Sequence, residues 1–392
     1  MENRRRIGMM TAAVAAVAAV LGWAAAGQQF DAMFVFGDSL VDAGNNNYLV
    51  DSLAKANYVP YGLDFRGPTG SFSNGKTIVD FLGDLLELPV LPAYADPSAT
   101  GKNVLKGINY ASAAAGILNE TGRTFVLTSI FSVIHSLFCN IFCFLICFIH
   151  ACMQGDRFTF SQQIENFQRT LKYQLQKEMR EEELIGYLNK SLVVISIGSN
   201  DYVNNYLLPS LYSTSYTYNP TNFADLLIEH FSKQLTVLHG LGLRKFLLGG
   251  IGPLGCIPNQ LATQAAPQGQ CVSHVNDMVE LFNSRLRDLI DQLNRDLVPS
   301  VFVYGNTFLA FSNIITNAST YGFVVKDQGC CGISKLQITC LPFSVPCPDR
   351  TKYIFWDSFH PTQAVNQILA ENAYSGPPSL CYPMNVQELA QQ

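Results

Sequence analysis

The sequence predicts an α/β fold of three layers, α/β/α, in which a central parallel sheet of about five strands lies between helices. Two observations support this prediction. Short apolar runs recur along the chain, as expected for strands that are covered on both faces. Longer amphipathic stretches separate these runs, and strands that alternate with helices through right-handed crossovers form a parallel sheet.

The predicted strands and helices alternate in chain order. The strand candidates are short and largely apolar: Met33–Phe36, Ile108–Ala111, Leu192–Ile197, Lys245–Gly249 and Val301–Tyr304. The helix candidates repeat apolar residues three or four positions apart: Thr77–Leu86, Gln162–Glu183, Phe223–Leu238 and Asp277–Leu297. Thr159 and Ser161 can cap the second of these helices, and the third stops before Gly240.

The length and charge of the chain favour one large domain that does not bind nucleic acid. The chain has 392 residues, but no linker or repeat divides it, so we expect residues 28–392 to form a single domain. The net charge is −5 and the basic residues are scattered, which argues against nucleic acid as a partner. Charged residues make up only 14% of the chain, and part of this deficit lies in two apolar segments.

The first apolar segment is the N-terminus. Arginines at positions 4–6 precede an apolar run from Ile7 to Ala26 that ends in small residues. This pattern predicts a secretory signal peptide over residues 1–27 and hence a secreted protein, with an uncleaved membrane anchor as the alternative. Secreted proteins carry N-linked glycans, and three sequons are candidate acceptors: Asn119, Asn189 and Asn317.

The second apolar segment, residues 126–154, interrupts the predicted domain. Its core of about 20 apolar residues is long enough to cross a bilayer. Its composition is also what a uridine-rich stretch encodes, and Val126 and Gln154 fit the edges of an intron. We therefore consider a translated retained intron, a transmembrane segment and an unusual buried helix or hairpin. Removing the segment would join Phe125 to Gly155 in a plausible loop.

The eleven cysteines indicate disulfides in an oxidising compartment. Four of them lie in the second apolar segment. The other seven are an odd number, so at least one stays free or pairs outside this set. Cys256 and Cys271 would close a short surface loop. Zinc binding is the alternative, but no histidine stands near these cysteines at ligand spacing, and we expect no metal.

The residues that carry chemistry follow the predicted strands and the C-terminal part of the chain. Ser39 in Gly37-Asp38-Ser39 follows the first strand, at the edge of the sheet where ligands bind. A serine hydroxyl needs a base to take its proton, and His360 is the best candidate because imidazole titrates near neutral pH. Asp357, three residues earlier, can orient that ring. Each residue alone also fits a turn or a cap, but the combination favours acyl transfer.

Attack of a serine on an ester places negative charge on the carbonyl oxygen, and hydrogen-bond donors must surround that position. We expect three donors: the backbone amide of Ser39, a backbone amide from the loop at residues 107–116, and the side chain of Asn200. Asn200 lies in Gly198-Ser199-Asn200-Asp201 after the predicted strand Leu192–Ile197, at the same edge of the sheet as Ser39.

Longer stretches around these residues are specific enough to indicate a family. They are Phe36–Asn46, Pro60–Phe65, Phe72–Lys76, Asn109–Ser112, Ile197–Tyr202, Gly252–Pro258, Cys330–Gly332 and Phe355–Thr362. With these motifs the chain resembles the plant GDSL esterase/lipases of the SGNH hydrolase superfamily. The resemblance extends from about Ala32 to Met384, apart from residues 126–154.

The resemblance implies the flavodoxin-like SGNH hydrolase fold and a serine esterase or lipase that needs no cofactor or metal. Its substrates would be lipid or other acyl esters. By position, Ser39 corresponds to the nucleophile, His360 to the base, Asp357 to its partner and Asn200 to the side-chain oxyanion donor.

The family usually takes its remaining donor from a glycine, but here the block contains three alanines followed by a glycine, Ala113-Ala114-Ala115-Gly116. Ala114 and Gly116 are therefore alternative donors, and an alanine amide can serve if its φ is negative.

Two alternatives to a secreted esterase follow from the same residues. The triad could transfer an acyl group to an alcohol instead of water. Residues 126–154 could also produce a catalytically impaired or membrane-associated isoform, and we expect contact with a membrane only if that segment spans one.

Overall fold

The computed structural model describes residues 29–124, 155–264, 266, 269–331 and 339–392. The predicted signal peptide at residues 1–27 and the apolar segment at residues 126–154 lie outside the described residues. Within the described ranges, no helix is both long enough and apolar enough to cross a membrane.

A sheet of six strands forms the centre of the part of the chain that the structure describes. Its strands lie in the order β2-β1-β3-β4-β5-β8; the first five are parallel and β8 is antiparallel to β5. The order of the five parallel strands is that of flavodoxin-like folds. The bounds are β1 Met33–Gly37, β2 Gly107–Asn109, β3 Leu192–Ser196, β4 Lys245–Gly249, β5 Val301–Gly305 and β8 Cys381–Tyr382, with β6 Val325–Gly329 and β7 Tyr353–Phe355 in a separate parallel pair.

The five predicted strands are all present, with ends that differ by at most two residues. The pairs β6–β7 and β5–β8 were not predicted. β8 has two residues, too few to show a periodic pattern, and β6 carries the polar stretch Lys326-Asp327-Gln328. The predicted three-layer α/β/α class is confirmed.

The helices lie on both faces of the sheet and at its carboxyl edge. Their bounds are α1 Ile78–Leu85, α2 Phe160–Thr170, α3 Gln176–Glu178, α4 Glu181–Asn189, α5 Ser199–Asp201, α6 Thr214–Thr217, α7 Pro220–Gly240, α8 Pro258–Thr263, α9 Ser273–Asp296, α10 Thr307–Thr316, α11 Gln363–Ser375 and α12 Val386–Leu389. Two π-helical turns, Leu171–Leu175 and Tyr202–Tyr206, follow α2 and α5. Among the described residues there are four 3-10 turns: Asn45–Tyr48, Gly101–Val104, Leu254–Cys256 and Arg350–Lys352.

The prediction of one continuous helix over Gln162–Glu183 is wrong. The chain breaks at Met179, whose backbone is extended at φ −135° and ψ 143°. A new helix, α4, begins there because the Glu183 carboxylate accepts the Arg180 backbone N–H at 3.1 Å and so caps its first turn. Glu183, predicted as the end of a helix, therefore stabilises the start of the next.

Alternate residues of each strand pack into different layers. On one face, Phe34, Phe36 and Phe246 pack with apolar residues of α2, α7 and α9. On the other face, Val35, Val194, Leu247 and Val303 pack with α1, α11 and α12. Both faces are buried, so the carboxyl edge of the sheet is where polar side chains that follow the strands meet.

Candidate active site

The turn after β1 places Ser39 at the carboxyl edge of the sheet. The Gln163 side chain holds the end of the strand: its Oε1 accepts the Gly37 N–H at 2.9 Å and its Nε2 donates to the Gly37 carbonyl at 2.8 Å. A Cβ on Gly37 would lie 2.1 Å from the Ser196 carbonyl oxygen, so only glycine fits. Asp38 then closes the turn, because its Oδ1 accepts the Leu40 N–H at 3.0 Å.

The structure brings Ser39, His360 and Asp357 together although 321 positions separate the first two. His360 Nε2 lies 2.8 Å from Ser39 Oγ. His360 Nδ1 lies 2.9 and 2.8 Å from the two carboxylate oxygens of Asp357. Asp357 is fully buried and His360 is 6% exposed, while Ser39 is partly accessible. A hydroxyl, an imidazole and a carboxylate in this chain of contacts can pass a proton from the serine to the ring.

The protein stabilises the ionised form of Asp357. Burial opposes ionisation, but the His360 ring and hydrogen bonds to the carboxylate hold the pKa of Asp357 below its usual value. The backbone N–H groups of Phe359 and His360 each donate to Oδ1 at 2.8 Å, and the Tyr61 hydroxyl donates to Oδ2 at 2.6 Å. Sequence reasoning missed the role of Tyr61, whose only signal was its place in the motif Pro60–Phe65.

Two disulfides support the region behind Asp357. Cys331–Cys340 and Cys330–Cys347 join the chain on either side of the undescribed residues 332–338. The Tyr61 hydroxyl, which donates to Asp357, also accepts the Cys340 N–H at 3.3 Å. The disulfides thus hold the Cys340 N–H in contact with the Tyr61 hydroxyl, which lies behind the Asp357 carboxylate.

The Asn200 side chain faces the loop that precedes Gly116. Its Nδ2 donates to the Ala115 carbonyl at 3.0 Å, and its Oδ1 accepts from Asn204 Nδ2 at 2.5 Å. An amide nitrogen carries two hydrogens, so one remains for a substrate oxygen. Among the described residues, the backbone N–H groups of Ser39, Ala114 and Gly116 donate no hydrogen bond to a backbone carbonyl.

The two alternative backbone donors differ in conformation. Ala114 has φ 68°, in the left-handed region that favours glycine. It therefore lacks the negative φ that we expect of an alanine whose amide binds the oxyanion. At position 116 only glycine fits, because a Cβ there would lie 2.4 Å from Thr121 Cγ2 and 2.6 Å from Asp201 Oδ2. Both amides stay candidates for the donor.

Asp201 holds the loop at residues 116–121 in place. No role for it was predicted from the sequence, although it follows Asn200 directly. Its carboxylate accepts the N–H groups of Ile117 and Leu118 at 2.7 and 3.1 Å and the Thr121 hydroxyl at 2.7 Å. Burial raises the pKa of Asp201 to about 6 in spite of these donors. The residue therefore joins the loop at residues 116–121 to the short helix that carries Asn200.

Comparison with known proteins shows the family of this chain. Residues 33–373 match the family model for GDSL-like lipases/acylhydrolases. The chain belongs to this family. One Arabidopsis thaliana GDSL esterase/lipase is 52% identical over 368 residues, which cover 92% of this chain and 88% of the relative. A second is 47% identical over 91% of this chain and 88% of its own, and GDSL esterase/lipase 7 is 46% identical over 94% and 96%.

The remaining predicted sites of this GDSL hydrolase are the glycan acceptors, the cysteines and a metal site. Asn119, Asn189 and Asn317 are all exposed, as glycan attachment requires, and glycosylation stays a prediction. Cys256 pairs with Cys271 as predicted, and Cys381 is a free, buried cysteine. In the part of the chain that the structure describes, no group of three or more His, Cys, Asp or Glu side chains could hold a metal ion.

Proposed function

We propose that this chain is a secreted serine esterase that cleaves carboxylic esters through an acyl-enzyme on Ser39. The observation that carries the proposal is the distance of 2.8 Å between Ser39 Oγ and His360 Nε2, with the other ring nitrogen 2.8 Å from Asp357. Membership of the GDSL family supports the same reaction class.

In the first half of the reaction, Ser39 Oγ attacks the ester carbonyl while His360 Nε2 takes the hydroxyl proton. Asp357 holds the ring in the tautomer that carries its proton on Nδ1 and stabilises the imidazolium. The oxyanion is bound by the Ser39 amide, the Asn200 side chain and the amide of Ala114 or Gly116. The bond to the leaving alcohol breaks, and the imidazolium supplies the proton that the alcohol needs.

In the second half, water replaces the alcohol. His360 takes a proton from the water as its oxygen attacks the acyl carbonyl, and the same donors bind the second oxyanion. Release of the carboxylic acid returns the proton to Ser39 Oγ. No step needs a cofactor or a metal ion.

Steady-state hydrolysis of p-nitrophenyl acetate tests the proposal. Ser39→Ala and His360→Ala should lower kcat by on the order of 10³ or more, and Asp357→Asn by a similar or smaller factor. Exposed residues of the same type provide matched controls: Ser375→Ala and His230→Ala should keep the wild-type rate. Wild-type kcat in the folded Ser39→Ala or His360→Ala variant would refute the assignment.

Secretion is a separate part of the proposal. It is supported by the N-terminal pattern over residues 1–27 and by three disulfides among the described residues. Expression of the full chain in plant cells and N-terminal sequencing of the protein in the medium test it. We expect a mature N-terminus near Gln28; retention of the whole protein inside the cell with its first residues intact would contradict secretion.

A further inference from the structure

An apolar cavity of about 120 Å³ lies under the carboxyl edge of the sheet. It lies in the layer between the sheet and helices α1 and α11. Its walls include Leu82 of α1, Leu247 of β4 and Leu369 of α11, with the Cys381 thiol also among the lining groups.

The cavity exists because the strands end in small residues. Ser196, Gly249 and Gly305 stand side by side in the register of β3, β4 and β5, and all three line the cavity. They occupy the same face as the larger residues two positions earlier, such as Val194 and Leu247, because strand side chains alternate. The last position of this apolar face is therefore left unfilled.

Packing does not require glycine at two of these positions. A Cβ on Gly249 would come no closer than 3.5 Å to a neighbour, and a Cβ on Gly305 no closer than 3.6 Å, which are ordinary contacts. Neither glycine has the left-handed φ that side chains avoid. Glycine inside a strand costs stability and often marks a place where a ligand approaches the backbone closely.

The cavity wall includes the immediate chain neighbours of three proposed catalytic groups. Leu40 follows Ser39, Ser199 precedes Asn200, and Phe359 precedes His360; Leu40, Ser199 and Phe359 all line the cavity. The cavity therefore adjoins the backbone that carries these three groups.

We propose that the cavity binds the alkyl tail of the acyl group, and that the enzyme prefers acyl chains of about six carbons over acetyl. This inference rests on the proposed function. An apolar cavity of roughly 150 Å³ stays free of water and takes up a six-carbon apolar ligand. The present cavity is of similar size, and its apolar lining favours an alkyl chain over a polar group.

The ratio of kcat/KM for p-nitrophenyl hexanoate to that for the acetate tests the inference. Gly249→Val and Gly305→Val each place a side chain at the cavity, and we expect each to lower the ratio at least tenfold. Gly186→Val is the matched control, because a Cβ at this position on α4 meets nothing within 4 Å, and it should leave the ratio unchanged.

The outcomes separate this inference from the proposed function. A ratio that stays within twofold of wild type in both folded variants, with turnover that still depends on Ser39, would refute the acyl site alone. A wild-type enzyme that cleaves none of these esters would refute both. If the valine variants do not fold, a crystal structure of the wild type with a hexylphosphonate on Ser39 decides: a hexyl chain in the cavity supports the site, and one in solvent overturns it.

Discussion

At the scale of single residues, two positions in the proposed active site have unfavourable local structure. One has an unpaired side-chain oxygen, and the other has a strained backbone conformation. Asp38 is buried, and its Oδ2 has no hydrogen-bond partner among the described residues. Ala114 is an alanine in a backbone conformation that favours glycine, with φ 68°. Such features concentrate at functional sites, where a fixed geometry outweighs local stability.

Asp38 should make the stability of the protein fall as the pH rises. Burial raises its pKa from 3.8 to about 7, so the folded protein binds this proton more tightly than the unfolded chain does. The contribution is fully present below pH 3.8 and is lost as the pH rises through about 7. Asp38→Asn should make the slope of unfolding free energy against pH more positive by up to about 1.4 kcal/mol per pH unit. Urea unfolding at pH 4 to 7 measures it, and identical slopes would contradict it.

Ala114→Gly should raise the free energy of unfolding by up to about 1 kcal/mol, because glycine accepts φ 68° without the Cβ clash. The substitution keeps the backbone N–H, so kcat for p-nitrophenyl acetate should stay within about threefold of wild type. Ala113→Gly, one residue earlier and without a left-handed φ, is the control and should destabilise. Thermal unfolding compares the two; equal destabilisation would show that the left-handed conformation costs nothing.

At the scale of elements, the loop after β2 and the short helix α5 form one unit around the proposed oxyanion site. Asn200 contacts the Ala115 carbonyl, and Asp201 accepts from Ile117, Leu118 and Thr121. Asp201 touches no reacting atom in this arrangement. It is a positioning residue that acts through the loop.

Asp201→Asn should lower kcat about tenfold or more with little change in KM, because the loss of one charge-assisted bond lets the loop relax away from the oxyanion. Kinetics with p-nitrophenyl acetate measure both constants. Asp225→Asn, which alters an exposed carboxylate paired with Arg285, is the control and should change neither. A raised KM with an unchanged kcat would indicate that Asp201 serves substrate binding rather than the oxyanion loop.

Sequence patterns were sufficient for the apolar strands and for the residues at their carboxyl ends. Each strand of the parallel sheet is a short buried run, so burial on both faces leaves a clear signal. The position of Tyr61 left no such signal, since its hydroxyl reaches Asp357 across 296 positions of the chain. The break at Met179 was likewise hidden, because the apolar period continues through it and only the Glu183 cap reveals a new helix.

At the scale of the whole molecule, the flanks of residues 126–154 lie next to each other. The Gly155 N–H donates to the Arg123 carbonyl at 2.9 Å, and the Asp156 N–H donates to the Asp51 carbonyl at 3.2 Å. The described domain is therefore closed at this point by its own backbone hydrogen bonds, as a removable insertion requires.

A chain that lacks residues 126–154 should fold and keep the Ser39-dependent esterase activity. Its melting temperature should equal or exceed that of the full chain, because the hydrogen bond from the Gly155 N–H to the Arg123 carbonyl already brings the two flanks together. Circular dichroism and p-nitrophenyl acetate hydrolysis of the two purified proteins measure this. An unfolded deletion variant beside an active full chain would show that the segment is part of the domain.

We propose that Ser39 is a nucleophile activated by His360. Labelling with a fluorophosphonate, followed by mass spectrometry of the tryptic peptides, decides whether it is. We predict one label per molecule on the peptide that contains Ser39, and none in Ser39→Ala. A folded wild-type protein that stays unlabelled, or that carries the label on another residue, would show that Ser39 is not the nucleophile.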